Sequence, residues 1–359
     1  MQELTEKDIE AIEIGAGILG TGGGGNPYYG KLHALAEMRQ GAKVRLVSLG
    51  ELDDDALVIS VGNIGAPAVS MEKICEGREI VRAIQALEEE VGRKVDAIIA
   101  VEIGGANGIR PAAIAAHMDL PLVDGDGMGR AFPEMQMTTF SIYGHCSMPA
   151  AMSDAHGNTV IFKHLVDEFW LERLARSCVV QMGAGAGMVE APMSGRFVKQ
   201  YAVPGTVTQA RNLGRAVLEA NKANVNPIEQ ICRQENGQVL FEGKIVDLER
   251  KMAAGFTRGN LSLEGIATFN GQQASVDIQN ENLIFRIGGE VKCSVPDLII
   301  ILDIETGHAI TTEVLRYGQK VAVLGIPCHP LLRSSRALEV VGPKAFGYSD
   351  VIYQPFEQV

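Results

Sequence analysis

The 359-residue chain has a single tryptophan, and aromatic residues make up 5% of it. Stacking platforms for exposed bases are therefore scarce, and no run of lysine or arginine stands out to track a phosphate backbone. With a net charge of −12, nucleic acid is not an expected partner. Cysteine is sparse too. The six residues at 75, 146, 178, 232, 293 and 328 form no CxxC pair, and their scatter fits buried thiols in a reducing compartment better than a disulfide framework. No apolar run approaches the ~18–20 residues of a membrane span. The amino terminus, MQELTEKDIEAIEIG, is acidic and shows no basic leader ahead of an apolar stretch. A cytoplasmic, non-membrane protein is the expectation.

What is present is globular: 46% hydrophobic, 21% charged, and long enough for two cores. Thr5 with Asp8 three residues on signals a helix start, and Gly20 to Gly25 should stop that helix. Asn26-Pro27 opens a second helix over roughly 27–39. Apolar segments 44–49, 56–61, 96–101 and 121–123 read as strands, with helices near 72–91 and 110–118 between them. Alternating strands and helices argue for a largely parallel sheet, whose ligands gather outside the carboxyl ends of its strands. From about residue 136 the pattern changes. Strands are expected at 137–143, 150–154, 159–163 and 179–182, with helices near 166–177, 205–220 and 226–235. Past Gly237 the chain is mostly strand, implying an antiparallel sheet or small barrel. The class is thus α/β, with a domain over 1–165 and a β-rich domain over 166–359.

The chemistry-bearing residues cluster in glycine-rich turns. In Gly22, Gly23, Gly24 and Gly25, four residues without side chains let backbone N–H groups close on an anion or a carbonyl. The alternative is a flexible loop. The run lacks the Lys-Ser/Thr of a phosphate loop, and no strand leads into it as a dinucleotide fingerprint requires, so no nucleotide cofactor is expected. Asp124 and Asp126, two residues apart at a strand end, could bind a divalent cation or orient water, or could simply cap the next helix. A calcium loop is excluded for want of further alternating acids. Glu102, directly after an apolar strand, is a candidate acid or base, or a solvated strand-end charge. Asn63 and Asn107 hold equivalent positions and could hydrogen-bond a polar heterocycle, with Gly127 counted beside them. His145-Cys146 and Cys328-His329 are adjacent pairs whose members point apart on a strand, which argues against zinc. No Gly-x-Ser-x-Gly occurs. Gly183 to Gly187 reads as close packing or an interdomain turn.

Gly22–Pro27, Gly62–Ala66, Glu102–Gly108, the string DGDGMGRAFPEMQMT from Asp124 to Thr138, and GPKAFGY from Gly342 to Tyr348 resemble the S-methyl thiohydantoin desulfurase family, whose genes lie near those of hydantoinases and oxoprolinases. The resemblance covers nearly the whole chain. It implies a three-layer α/β amino-terminal domain, a β-rich, barrel-like carboxyl-terminal domain, and hydrolysis of an S-methylated thiohydantoin to a hydantoin with loss of methanethiol. On that expectation Asp124 or Asp126 activates water, directly or through a metal ion, Glu102 moves a proton at the ring, and the glycine loop with Asn63 and Asn107 holds its polar atoms. Rival expectations are a hydrolase or isomerase of another cyclic imide or amide, and a non-catalytic subunit or binding protein of a hydantoinase or oxoprolinase complex. The β-rich half also offers surface for a homo-oligomer.

Overall fold

The computed structural model describes residues 1–66, 69, 73, 75–253 and 256–357. Thr5 caps the first helix, α1 (Glu6–Leu19), by accepting from the Asp8 backbone N–H while Asp8 accepts from that of Thr5 at 2.8 Å. Asn26 caps α2 (Pro27–Arg39), with proline at its first position, where the missing N–H costs nothing. Strands β1 (Gln2–Glu3), β2 (Arg45–Val47), β3 (Leu57–Gly65), β4 (Ala97–Ala100) and β5 (Leu122–Asp126) follow, interleaved with α3 (Glu79–Val91) and α4 (Gly105–Met118). The expected helix start at Glu72 lies outside the described residues.

Strands β2, β5, β4 and β3 run parallel in that order. Both faces of this sheet are covered. Ile98 and Leu122 join a core with α1, α2 and α4, while Ala97, Ile99 and Val123 enter another with Val198 and Ala202. That explains the unbroken apolar run of β4. Each such buried aliphatic side chain contributes on the order of 1.5–3 kcal/mol.

Antiparallel strands extend the sheet on the far side of β3: β8 (Gly185–Val189), then β6 (Ala150–Ser153), then β7 (Thr159–Phe162). Two short strands, β9 (Met193–Ser194) and β10 (Val203–Pro204), pair with β3 and β5. So segments beyond residue 165 complete the first sheet. Helix α5 (Glu168–Gln181) precedes β8, and α6 (Thr206–Ala223) lies on α1. The α1–α6 approach is close enough that a Cβ on Gly15 would fall 1.8 Å from the Ala210 carbonyl oxygen.

Two expected strands are helical instead. Residues 137–143 hold a short helix, Thr139–Ile142, because Thr138 caps it by accepting from the Ser141 N–H at 3.1 Å. Residues 179–182 largely continue α5, since Val179 lies on its buried face beside Leu171 and Ala175. An apolar run this short cannot distinguish a strand from the buried end of a helix.

The second sheet is antiparallel throughout. Its seven strands are β11 (Gln238–Ala253), β12 (Phe256–Gly265), β13 (Gln273–Gln279), β14 (Glu281–Ile287), β15 (Glu290–Ser294), β16 (Leu298–Asp303) and β17 (Lys320–Ile326). They are ordered β15-β14-β13-β12-β11-β17-β16. The sheet curls into a half-barrel, bringing β14 against β16, where the Asn282 side chain donates to the Ile299 carbonyl at 3.0 Å. Among the described residues, no helix is long and apolar enough to cross a membrane.

Candidate active site

The carboxyl ends of β3 and β4 open on a cleft of about 170 Å³. Its walls bring together Gly24 and Gly25, Asn63, Glu102, Asn107 and Arg110 from the first sheet's turns, with Asn280 and Glu281 from the turn between β13 and β14. The glycine runs make this approach possible. The Ala106 N–H donates to the carbonyls of Gly24 at 2.8 Å and Gly25 at 3.1 Å, clamping one turn to the other. A Cβ on Gly24 would lie 2.4 Å from the Gly104 carbonyl oxygen, and Gly24 itself has φ +72°, so glycine is required twice over.

Glu102 is buried at the end of β4, with both oxygens engaged. Oε1 accepts from the Asn107 side-chain amide at 2.7 Å, and Oε2 accepts from the Phe132 backbone N–H at 3.0 Å. Burial pushes its pKa up to about 8 despite those two donors, and the neighbouring Asp126 adds to the rise. The Asn107 carbonyl in turn accepts from the backbone N–H of Asn63 at 2.9 Å and its side-chain amide at 3.1 Å. The Asn63 carbonyl accepts from Arg110 at 2.6 Å, whose other arm reaches the Cys75 sulfur at 2.8 Å. Cys75, Asn63, Asn107 and Glu102 thus form one directed polar chain along the cleft, with Arg110 at its hinge. Lys73 and Arg176 add positive charge to the walls.

The aspartates of the DGDG turn lie elsewhere. Spaced two apart, they share a face of β5, but that face meets the start of α6. Asp124 accepts from the Thr208 backbone N–H at 3.0 Å and from its hydroxyl at 2.6 Å. Asp126 is wholly buried. One of its oxygens accepts from the N–H groups of Ile103 at 2.8 Å, Met128 at 3.0 Å and Gly129 at 2.8 Å. Burial lifts its pKa to about 7, against those three donors and the Thr206 hydroxyl, which favour the charged form. Neither aspartate lines the cleft, and among the described residues no group of three or more His, Cys, Asp or Glu is placed to hold a metal ion. Gly127 packs beneath Phe140, where a Cβ would meet the ring at 2.9 Å. Replacing Asp124 with alanine should remove a helix cap, costing about 1 kcal/mol in urea unfolding. Activity should stay within twofold, and a hundredfold loss at unchanged stability would contradict this placement.

Sequence reasoning missed Glu281. It is buried, one of its oxygens has no hydrogen-bond partner, and burial with the facing Glu102 carboxylate holds its pKa well above the usual carboxylate range. The visible signal was an acid inside a polar hairpin turn, Gln279 to Asn282. Arg130 was also missed as a structural element. Fully buried, it donates to the Thr21 hydroxyl at 2.8 Å and to the carbonyls of Asp297 at 2.7 Å, Ala131 at 3.0 Å, and Pro296 and Asn282 at 3.3 Å, bridging the two sheets. Burial lowers its pKa to about 10, with Glu281 and Asp297 as the carboxylates favouring its charge. The histidine–cysteine pairs have separate occupations. His145 Nε2 meets the Ala191 carbonyl at 2.8 Å, whereas Cys146 is exposed; His329 Nδ1 accepts from the Leu331 N–H at 3.3 Å, whereas Cys328 is buried.

A protein from Chromobacterium violaceum, known from an X-ray crystal structure, is 25% identical, with 99% of this chain and 100% of that one covered and a TM-score of 0.82. No curated protein matches the chain. Residues 7–164 match the model of the S-Me-THD-like N-terminal domain, and residues 166–356 that of the S-Me-THD-like C-terminal domain. The chain, from its capped first helix through the half-barrel that closes the cleft, belongs to the S-Me-THD-like family.

Proposed function

We propose that the protein hydrolyses an S-methylated thiohydantoin, releasing methanethiol and leaving a hydantoin. The observation that carries this reading is Glu102, a carboxyl group of pKa about 8 at the floor of a cleft sized for a small ring. In the reaction, water adds to the ring carbon bearing sulfur, the adjacent ring nitrogen gains a proton, and the C–S bond breaks as the carbonyl re-forms. The methylthio group leaves as the thiol with the remaining proton. Ring, water and methanethiol therefore balance.

Glu102 suits the base that takes the proton of the attacking water. Both its oxygens already receive N–H donors, so the anion is supported when it forms, and its pKa lies close to working pH. Because Asn107 and Asn63 spend their carbonyls within the polar chain, their remaining N–H capacity and the backbone of Gly24 and Gly25 are left for the ring's oxygen and nitrogen atoms. The hydantoinase neighbourhood implied by the sequence resemblance points the same way, toward a product that is itself a cyclic imide.

The test is thiol release from a panel of S-methylated heterocycles, read with a thiol-reactive dye and by mass spectrometry of the ring product. Turnover is expected with the thiohydantoins and not with S-methyl groups on open-chain amidines. Ring opening without thiol release would replace desulfuration with hydrolysis of another cyclic imide. No turnover at all, together with tight binding of the ring, would favour a binding protein.

A further inference from the structure

Water addition needs a proton donor as well as a base, and Glu102 cannot serve as both in one step. The second sheet supplies a candidate. Glu281 begins β14, and its carboxyl group reaches the cleft wall across from the turns of the first sheet. Its placement is fixed by backbone bonds between the halves: the Asn282 N–H donates to the Thr21 carbonyl at 2.8 Å, and the Thr312 N–H to that of Gly22 at 2.8 Å. The glycine run makes room for it, since a Cβ on Gly23 would lie 2.0 Å from Glu281 Oε1. Charged groups around it come from every side. Glu102 and Glu313 are like charges, and the buried Arg130 opposes them.

One Glu281 oxygen is buried without a partner, an arrangement that costs free energy an apolar residue would not incur. An orphaned oxygen does not by itself single out Glu281, since Asp126 Oδ1 is orphaned too; what sets Glu281 apart is its place in the cleft wall. The two glutamates differ in one decisive respect. Glu102 has an N–H donor on each oxygen, which favours its anion, whereas Glu281 has an orphaned oxygen beside a like charge, which favours its acid form.

We propose that Glu281 is the acid of the reaction, giving its proton to the ring nitrogen while Glu102 takes the proton of the attacking water. This rests on the desulfuration reading. After addition, the ring nitrogen carries the proton from Glu281 and the ring carbon carries the new hydroxyl. Collapse then re-forms the carbonyl and breaks the C–S bond. The hydroxyl proton returns to the Glu281 carboxylate, and the methylthiolate leaves with the proton held by Glu102. Both carboxyls regain their starting states.

The experiment compares wild type, Glu281→Gln and Glu102→Gln for thiol release across pH. Wild type should give a bell, its rising limb set by ionisation of Glu102 near pH 8 and its falling limb by loss of the Glu281 proton, which burial and the facing Glu102 hold well above the usual carboxylate range. Glu281→Gln should lose about 100-fold or more in kcat with KM changed little, and the falling limb should vanish. Turnover within threefold of wild type would overturn the assignment. Should Glu281→Gln not accumulate folded, Gly23→Ala is read instead, because it displaces the carboxyl without removing it, and the same loss is expected. Wild type that releases no thiol would end the desulfuration reading alone. Glu281 is then judged by infrared difference spectra, in which its carboxylic acid band should persist at pH well above the usual carboxylate range and titrate lower in Glu102→Gln. A band lost near pH 4 to 5 in both proteins would sink the proposal.

Discussion

Glutamine at position 102 should abolish most turnover, by about 100-fold or more, with the fold intact. The substitution keeps the shape and one acceptor oxygen but removes the group that can take a proton. It also places an NH₂ against either the Asn107 amide or the Phe132 N–H, both donors, so one of the two contacts at 2.7 and 3.0 Å must break. The pH dependence separates the catalytic loss from that disturbance. With its pKa raised to about 8, the Glu102 anion is scarce at pH 6 and grows through pH 8, so on the proposed mechanism wild-type rates should rise over that interval. The variant's residual rate should be flat there. A sloping residual rate, or a loss below tenfold, would show that another group takes the proton.

Removing the Arg130 guanidinium should give the largest loss of stability, about 3–5 kcal/mol for Arg130→Met. The guanidinium fork serves four carbonyls and the Thr21 hydroxyl at once, with its face over the Phe132 ring at 4.8 Å. Methionine fills much of the volume but leaves those acceptors buried and unmatched and removes the cation opposing Glu281, while Asp297 keeps its ion pair with Arg333 at 3.1 Å. Arg130→Lys should recover less than half, because three donors on one nitrogen cannot span the same set. Urea unfolding reads both. A shift under about 1 kcal/mol for Arg130→Met would mean that the contact between the sheets is carried elsewhere.

The parts of the molecule legible beforehand were those decided locally. The capping box of Thr5 and Asp8, the proline opening α2, and the doubly apolar β4 each depend on a few adjacent residues. Glu102 was legible as a candidate because it lies just past a parallel strand, whereas the equivalent post-strand positions expected for Asn63 and Asn107 do not hold: Asn63 sits inside β3 and Asn107 in the first turn of α4, although both line the cleft. Asp124 and Asp126 show the limit of that logic. Their shared face was correctly implied by their spacing, but what lies over the face is α6, a helix that starts some eighty residues later. Glu281 was out of reach for the same reason. Its placement depends on how a curled sheet docks, and beyond the acid in a polar turn, the glycine at position 23 is the one local hint that another side chain needs the space.

That hint has a consequence for how the protein comes into being. A ribosome finishing the first half would have made Glu102 and its amide chain, yet the space at Gly23 would still be vacant. The cleft acquires the carboxyl of Glu281 only when β14 arrives and the Thr21 and Gly22 carbonyls find their donors. On the proposed mechanism, acid and base are therefore brought together only when both halves of the chain have assembled.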